Sequence, residues 1–111
     1  MSVLTIRAYK RYATRLPVEL HRPGRKTASG LLIELSQQGA RISNLCRGKY
    51  EAGDILTISL PNGMEIEGTI RWAHDGLAGI RINRSLHLPE MRELLDLNRR
   101  EQSGVEWRFG T

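Results

Sequence analysis

Apolar and polar residues alternate along most of the chain up to Ile82, with the two-residue period of β-strands that bury one face. Turn-forming pairs such as Asn62-Gly63 and Asp75-Gly76 interrupt this alternation. The pattern predicts six strands, at residues 16–20, 27–35, 40–45, 54–60, 64–72 and 77–82. We therefore expect a mainly β fold, a six-stranded antiparallel β-barrel, because closing the sheet on itself leaves no edge strand exposed.

The apolar period lengthens after residue 87, which predicts one C-terminal α-helix. Met91, Leu94 and Leu95 share one face of this helix, and that face is too small to be stable alone. We expect the helix to pack on the barrel and cover one opening. Gly104 is its predicted end, because glycine is common directly after the last helical turn.

These patterns divide the chain into three parts: a basic N-terminal segment at residues 1–15, the barrel with its helix at residues 16–102, and a C-terminal tail at residues 103–111. For Trp107 and Phe109 in the tail, the sequence leaves two possibilities open. They either dock behind the helix or belong to an exposed, disordered end.

The composition is that of an ordinary globular domain. With 111 residues, 40% apolar and 26% charged, the chain has room for one core. No apolar run approaches the roughly 20 residues that a membrane-spanning helix needs, and no export signal is visible. Cys46 is the single cysteine, which excludes an internal disulfide. These features favour the cytoplasm as the location.

The charge of the chain is concentrated at its N-terminal end. Residues 1–26 contain seven Lys or Arg against Glu19 alone, a net charge of +6, whereas the remaining residues contain ten against eleven. A segment of this kind attracts phosphate-bearing partners such as nucleotides, nucleic acid or an anionic membrane. The alternative is a solvated basic tail that only keeps the protein in solution.

Residues for catalysis or metal binding are not grouped in the sequence. His21, His74 and His87 are far apart, and neither Ser36 nor Ser59 has a histidine near it in sequence. Glycine-rich phosphate loops are also missing. We therefore expect no enzyme activity, no metal site and no cofactor.

Two short stretches carry binding chemistry. Arg11 and Arg15 precede the first predicted strand, and a guanidinium group can pair in bidentate fashion with a phosphate or with the O6 and N7 edge of guanine. Ser36 and Gly39 lie in the turn between the second and third predicted strands. The serine offers a hydroxyl, and the glycine suits a position that needs either a positive φ or close backbone approach. Taken alone, this turn is better explained as a hairpin loop without a ligand.

Together, the stretches Arg11-Tyr12-Ala13-Thr14-Arg15 and Glu34-Leu35-Ser36-Gln37-Gln38-Gly39 resemble the paired motifs of the PilZ domain family of bacterial cyclic di-GMP receptors. That family has RxxxR before the first strand and (D/N)xSxxG between the second and third strands of a six-stranded barrel. The order and spacing agree, and the similarity extends over roughly residues 10 to 84.

The resemblance implies that the ligand is cyclic di-GMP. Arg11 and Arg15 would engage its phosphates and guanines from an N-terminal segment that closes over it, with Ser36 and Gly39 against a guanine. Glu34 stands where the family has Asp or Asn, and its side chain is longer by one methylene.

Lys10 and Arg7 are auxiliary candidates for the same site. Three hypotheses remain open: a cyclic di-GMP receptor, a degenerate member that binds a protein partner instead, and a nucleic-acid-binding barrel. The sequence disfavours the third, because its predicted strands offer few aromatic residues for base stacking. In either of the first two cases the output passes through a protein partner of unknown identity.

Overall fold

The computed structural model describes residues 10–45 and 50–110, with side chains as far as Glu101. The elements are β1 Tyr12–His21, β2 Ala28–Leu35, β3 Gly39–Ser43, β4 Ile55–Ser59, β5 Glu65–His74, β6 Leu77–Ile82 and α1 Leu88–Gly110. The predicted fold class, a six-stranded antiparallel barrel with one C-terminal helix, is confirmed. In these described ranges, no helix has both the length and the apolar composition required to cross a membrane.

The six strands close in the order β1-β2-β3-β6-β5-β4. Every neighbouring pair is antiparallel, and four of the connections are hairpins between consecutive strands. β3 pairs with β6, although more than thirty residues separate them in sequence. Because of this pairing, the outer wall beside β3 combines residues from distant parts of the chain. A short ladder from β1 to β4 completes the ring.

The barrel interior is filled by aliphatic side chains from all six strands, including Leu16, Leu32, Ile42, Ile58 and Ile70. The helix α1 adds Met91, Leu94 and Leu97 to the same core. Leu95, which the sequence placed on the packing face, is only half-buried. Asn62 at the β4–β5 turn also donates a hydrogen bond to Glu93 of α1, at 3.2 Å. The helix is therefore packed against the barrel, as its small apolar face requires.

Two boundaries differ by more than two residues from those predicted. β1 begins at Tyr12 rather than at residue 16, because Tyr12 and Ala13 pair with Leu35 and Glu34 of β2. The predicted helix end at Gly104 is wrong, since α1 continues to Gly110. A glycine inside a helix costs only about 1 kcal/mol relative to alanine, so one such residue does not end it.

The structure does not describe the side chains of Trp107 and Phe109, so both possibilities for their packing remain open. The division of the chain into a basic segment, a barrel unit and a tail stays a prediction.

Candidate functional site

A pocket of about 440 Å³ lies on the outer wall of the barrel, beside the turn that joins β2 to β3. We call it the wall pocket. It brings together four of the residues singled out in the sequence: Arg11, Glu34, Ser36 and Gly39. Its volume lies in the range of sites that hold small organic ligands, about 300–1,000 Å³.

The other sequence candidates that the structure describes, Arg15 and Lys10, do not line the wall pocket. Arg15 is within β1, at a bulge where Thr14 and Arg15 oppose the single residue Ile33, and it is not among the residues that line the wall pocket. The backbone N–H of Arg15 donates a hydrogen bond to Oδ1 of Asn98 on α1, at 2.8 Å. Lys10 lines a different depression, beside α1. Arg7 lies outside the described residues.

The Ser36 hydroxyl organises its own turn. Its Oγ accepts hydrogen bonds from the N–H groups of Gly39 and Gln38, at 3.0 and 3.3 Å. The same hydroxyl faces the carbonyl oxygen of Gly39 at 3.4 Å, which is a long contact for an O–H donor. Both acceptor positions are thus used inside the turn, and the capacity left for a ligand is one donated hydrogen bond. Such a donor suits a phosphate oxygen or the O6 or N7 atom of guanine.

Gly39 lies where the backbones of β3 and β6 approach each other closely. Of the two reasons considered from sequence, a positive φ is wrong, because Gly39 is absent from the positive-φ glycines of the described residues. A Cβ at this position would lie 3.3 Å from the carbonyl oxygen of Ile80 on β6, which is tighter than ordinary van der Waals contact. Glycine therefore lets β3 approach β6 at the floor of the wall pocket.

The turn is also tied to the segment that leads into α1. The backbone N–H of Leu86 donates to the carbonyl of Gln37 at 2.8 Å, and the Gln37 side-chain amide donates back to the carbonyl of Leu86, also at 2.8 Å. Gln38 accepts from the N–H of Ile82 at 2.9 Å. These bonds hold the edge of the wall pocket rigidly against the entry to the helix.

Three further arginines of the wall pocket were missed by sequence reasoning: Arg41, Arg71 and Arg81. They lie on β3, β5 and β6, which are adjacent on the barrel wall. Their outward positions in the alternation were a signal that the sequence contained. What it could not supply was the pairing of β3 with β6, which brings the three side chains to one surface.

A β-bulge supplies an aromatic surface beside these arginines. Strict alternation along β5 would turn Trp72 into the barrel after the buried Ile70, but Arg71 is an extra residue relative to β6. Arg71 and Trp72 consequently both face outward, and Trp72 is 36% exposed. A bulge re-aims side chains in this way at many binding sites.

The indole of Trp72 lies over the backbone of Gly79, where any Cβ would overlap it. The Arg41 guanidinium is 6.0 Å from the centre of the indole ring, within the range of a cation–π interaction. The His74 ring stacks beside it, with centroids 5.1 Å apart. The indole is therefore held flat against the barrel wall, where it can offer a stacking surface.

Glu34 is the one carboxylate of the wall pocket, against four arginines. Its Oε1 lies 3.8 Å from Nη2 of Arg41, and both side chains are partly exposed. A pair of this kind contributes little to stability, typically about 0–1 kcal/mol. The lining has a formal charge of +3, so the site favours an anion that also has a flat ring system.

Known proteins resemble this chain in sequence and in fold. The family described as "PilZ domain" matches residues 5–100. The fold is similar to the Bacillus subtilis inhibitor of motility MotI/DgrA, with a TM-score of 0.62 and 16% identity, covering 89% of this chain and 52% of that one. It is also similar to the PilZ domain of CeSA from a cellulose-synthesizing bacterium, with a TM-score of 0.60 and 20% identity, covering 84% of this chain and 98% of that one.

One curated protein with related sequence is the chaperone protein HtpG of Oleidesulfovibrio alaskensis, 27% identical over 81 residues. The match covers 66% of this chain but only 13% of that protein. The chain thus spans a small part of HtpG and about half of MotI/DgrA. At these identities the two structural likenesses establish the barrel fold alone.

Proposed function

The chain belongs to the PilZ domain family, and from this we propose that it is a receptor for cyclic di-GMP, which it holds in the wall pocket. The observation that carries the proposal is the meeting of Arg11 with Ser36 and Gly39 in one pocket, although more than twenty residues separate them in sequence. Both halves of the paired motif thereby face the same space.

The chemistry of the pocket matches that of the ligand. Cyclic di-GMP has two phosphodiester anions and two guanine rings. The guanidinium groups of Arg71 and Arg81 would pair with phosphate oxygens, which they match in bidentate geometry. Trp72 would stack on a guanine, and such stacking contributes roughly 1–3 kcal/mol per base. The Glu34 carboxylate would accept hydrogen bonds from the N1–H and N2–H groups of that base.

The closing segment is shorter in this proposal than the sequence implied. Arg15 is held within β1 by strand pairing and by the bond from its backbone to Asn98. The part that closes over the nucleotide is then the chain before Tyr12, with Arg11 as its contact. The resulting receptor acts as an adaptor in the cytoplasm, where its loaded form alters the interaction with a partner. It performs no catalysis, since PilZ domains are receptor or adaptor domains.

Calorimetric titration with cyclic di-GMP tests the proposal. The wild-type chain should bind with a dissociation constant in the micromolar range or below, about −8 kcal/mol. Arg11→Ala should weaken binding roughly tenfold or more, because a hydrogen bond to a charged group contributes about 1.5–3 kcal/mol. Arg25→Ala is the matched control, an exposed arginine in the β1–β2 turn that should leave affinity unchanged. Absence of binding by the wild type at tens of micromolar would refute the proposal.

Glu34 favours one second candidate, a PilZ domain that has lost the nucleotide and binds only a protein partner. The Glu34 carboxylate faces Arg41 at 3.8 Å and so competes with a ligand for that arginine. Glu34→Asp shortens the side chain by one methylene and distinguishes the two functions. If only the substituted protein binds cyclic di-GMP, the loss is one of local geometry. If neither protein binds, the interaction module replaces the receptor.

A further inference from the structure

A second depression lies on the other side of the segment that enters β1. It has a volume of about 380 Å³ and runs between the start of β1 and the helix α1. We call it the α1 groove. It is separate from the wall pocket, since the two have no lining residue in common.

The floor of the α1 groove is apolar. Met91 is almost fully buried at its base, and the half-buried Leu95 lies one turn further along α1. Leu88 is 66% exposed at one end of the groove, and Tyr12 at 36% forms part of the opposite wall. Leu88, Met91 and Leu95 fall on one helix face by their spacing of three and four residues. An occupant with apolar side chains of similar spacing would bury this surface.

The rim of the α1 groove is cationic. Lys10, Arg92 and Arg99 line it against the single carboxylate of Asp96, which gives a formal charge of +2. Asp96 is already paired with Arg99, with Oδ1 and Nη1 at 3.6 Å. Within the described part of the chain, neither Lys10 nor Arg92 is in an ion pair. An occupant with carboxylates flanking its apolar positions would complement both the floor and the rim.

The α1 groove and the wall pocket share one short segment as a wall. Arg11 lines the wall pocket, whereas its neighbours Lys10 and Tyr12 line the α1 groove. This is the alternation expected of an extended chain, whose successive side chains point in opposite directions. Tyr12 is already held by its pairing with Leu35, so a contact that fixes Arg11 on one side would also fix Lys10 on the other.

We propose that the α1 groove is the docking surface for an acidic amphipathic helix of a partner protein. We further infer that a nucleotide held by Arg11 strengthens this docking by ordering the shared wall. The first statement is independent of the ligand. The second rests on the proposed function, and by linkage a partner in the groove would strengthen nucleotide binding by the same factor.

The test uses a defined probe, a fluorescent peptide of about 20 residues, long enough to be helical in water. It has Leu at positions i, i+3, i+4 and i+7 on one face and Glu beside them. A second peptide has Lys in place of every Glu. We expect the acidic peptide to bind the free protein with a dissociation constant of about 100 µM or below, measured by anisotropy, and the basic peptide to bind at least about tenfold more weakly.

Charge reversal provides the decisive variant. The double substitution Arg92→Glu, Arg99→Glu changes two exposed side chains, so the fold should persist. The substituted protein should bind the basic peptide more tightly than the acidic one. The matched control is Arg25→Glu, which is distant from the groove and should change neither affinity. In ¹⁵N-HSQC spectra, the acidic peptide should shift the amides of Tyr12, Met91 and Leu95. Equal binding of both peptides, or no binding of the acidic one, overturns the proposal.

Sedimentation of the protein alone decides whether a second copy occupies the groove. A dimer that dissociates in the Arg92→Glu, Arg99→Glu protein would assign the groove to self-association and refute a partner helix. A monomer, together with peptide binding, supports the proposal.

Coupling is measured by repeating the peptide titration with saturating cyclic di-GMP. The wild type should bind the peptide several-fold more tightly with cyclic di-GMP than without it. The Arg11→Ala protein should bind the peptide with the same affinity in both conditions. If calorimetry shows no nucleotide binding, the receptor function fails while the peptide result on the free protein still stands. Nucleotide binding without any change in peptide affinity refutes the coupling alone.

Discussion

Single residues of the candidate site combine structural and binding tasks. Ser36 was selected from sequence for its hydroxyl, yet that hydroxyl already accepts two backbone N–H groups of its own turn. Gly79 has no place in any binding motif, but its lack of a side chain is what allows the Trp72 indole to lie on the barrel wall. A substitution at either position would therefore change the shape of the pocket as well as its chemistry.

Ser36→Ala should destabilise the protein even without a ligand. The substitution removes the acceptor for two N–H groups of the turn, and we expect the free energy of unfolding to fall by about 1 kcal/mol. Urea denaturation measures the loss, and Ser36→Thr, which keeps the hydroxyl, should restore most of it. Ser29→Ala, at an exposed position of β2, serves as control and should stay within about 0.5 kcal/mol of the wild type. Unchanged stability in Ser36→Ala would mean that the hydroxyl has no structural task.

At the scale of elements, regular repetition was predictable and departures from it were not. Alternation located all six strands because each buries one face in the barrel. The pairing of β3 with β6 depends on the closed ring, and the bulge at Arg71 depends on how β5 meets β6. Neither feature has a local sequence signal. The sequence therefore did not predict that Arg41, Arg71, Arg81 and Trp72 line the wall pocket, although it did show the paired motif.

The bond between β1 and α1 gives a prediction at this scale. Asn98→Ala removes the acceptor for the backbone N–H of Arg15, so this amide should exchange with solvent faster than in the wild type. Asn98→Asp keeps an oxygen acceptor and should preserve the protection. Amide hydrogen exchange followed by NMR measures both, with the Leu32 amide of the barrel as internal reference. Equal protection of Arg15 in Asn98→Ala would show that strand pairing alone holds this part of β1.

For the whole molecule, the distribution of charge over the surface determines where anionic ligands would bind, more than the net charge of +5 does. The wall pocket has a formal charge of +3 and the α1 groove of +2, and Lys10 and Arg11 place one cation in each. The sequence shows an excess of positive charge at the N-terminal end, but it does not show that Arg11 and Lys10 from this segment line two separate surfaces. That division follows from the path of the chain into β1.

If the proposed function holds, binding of cyclic di-GMP should weaken as salt is added. The nucleotide has two negative charges, and raising NaCl from about 50 to about 500 mM shortens the screening length from roughly 14 to 4 Å. Titration calorimetry should show a several-fold loss of affinity across this range. Arg81→Ala removes one pocket cation and should give a weaker dependence on salt, whereas Arg25→Ala should not. A dependence identical in both variants would place the electrostatic attraction outside the wall pocket.

The barrel is closed by one short strand ladder, between β1 and β4. β1 and β4 pair only from Glu19–Ser59 to His21–Thr57, which is the shortest strand ladder in the described part of the barrel. On heating, β1 and β4 should separate first. The barrel would then become an open, curved sheet, and its two edge strands would expose unpaired backbone N–H and C=O groups. Such edges recruit strands from other molecules, and heat-induced aggregation of this protein should therefore begin at the β1–β4 seam.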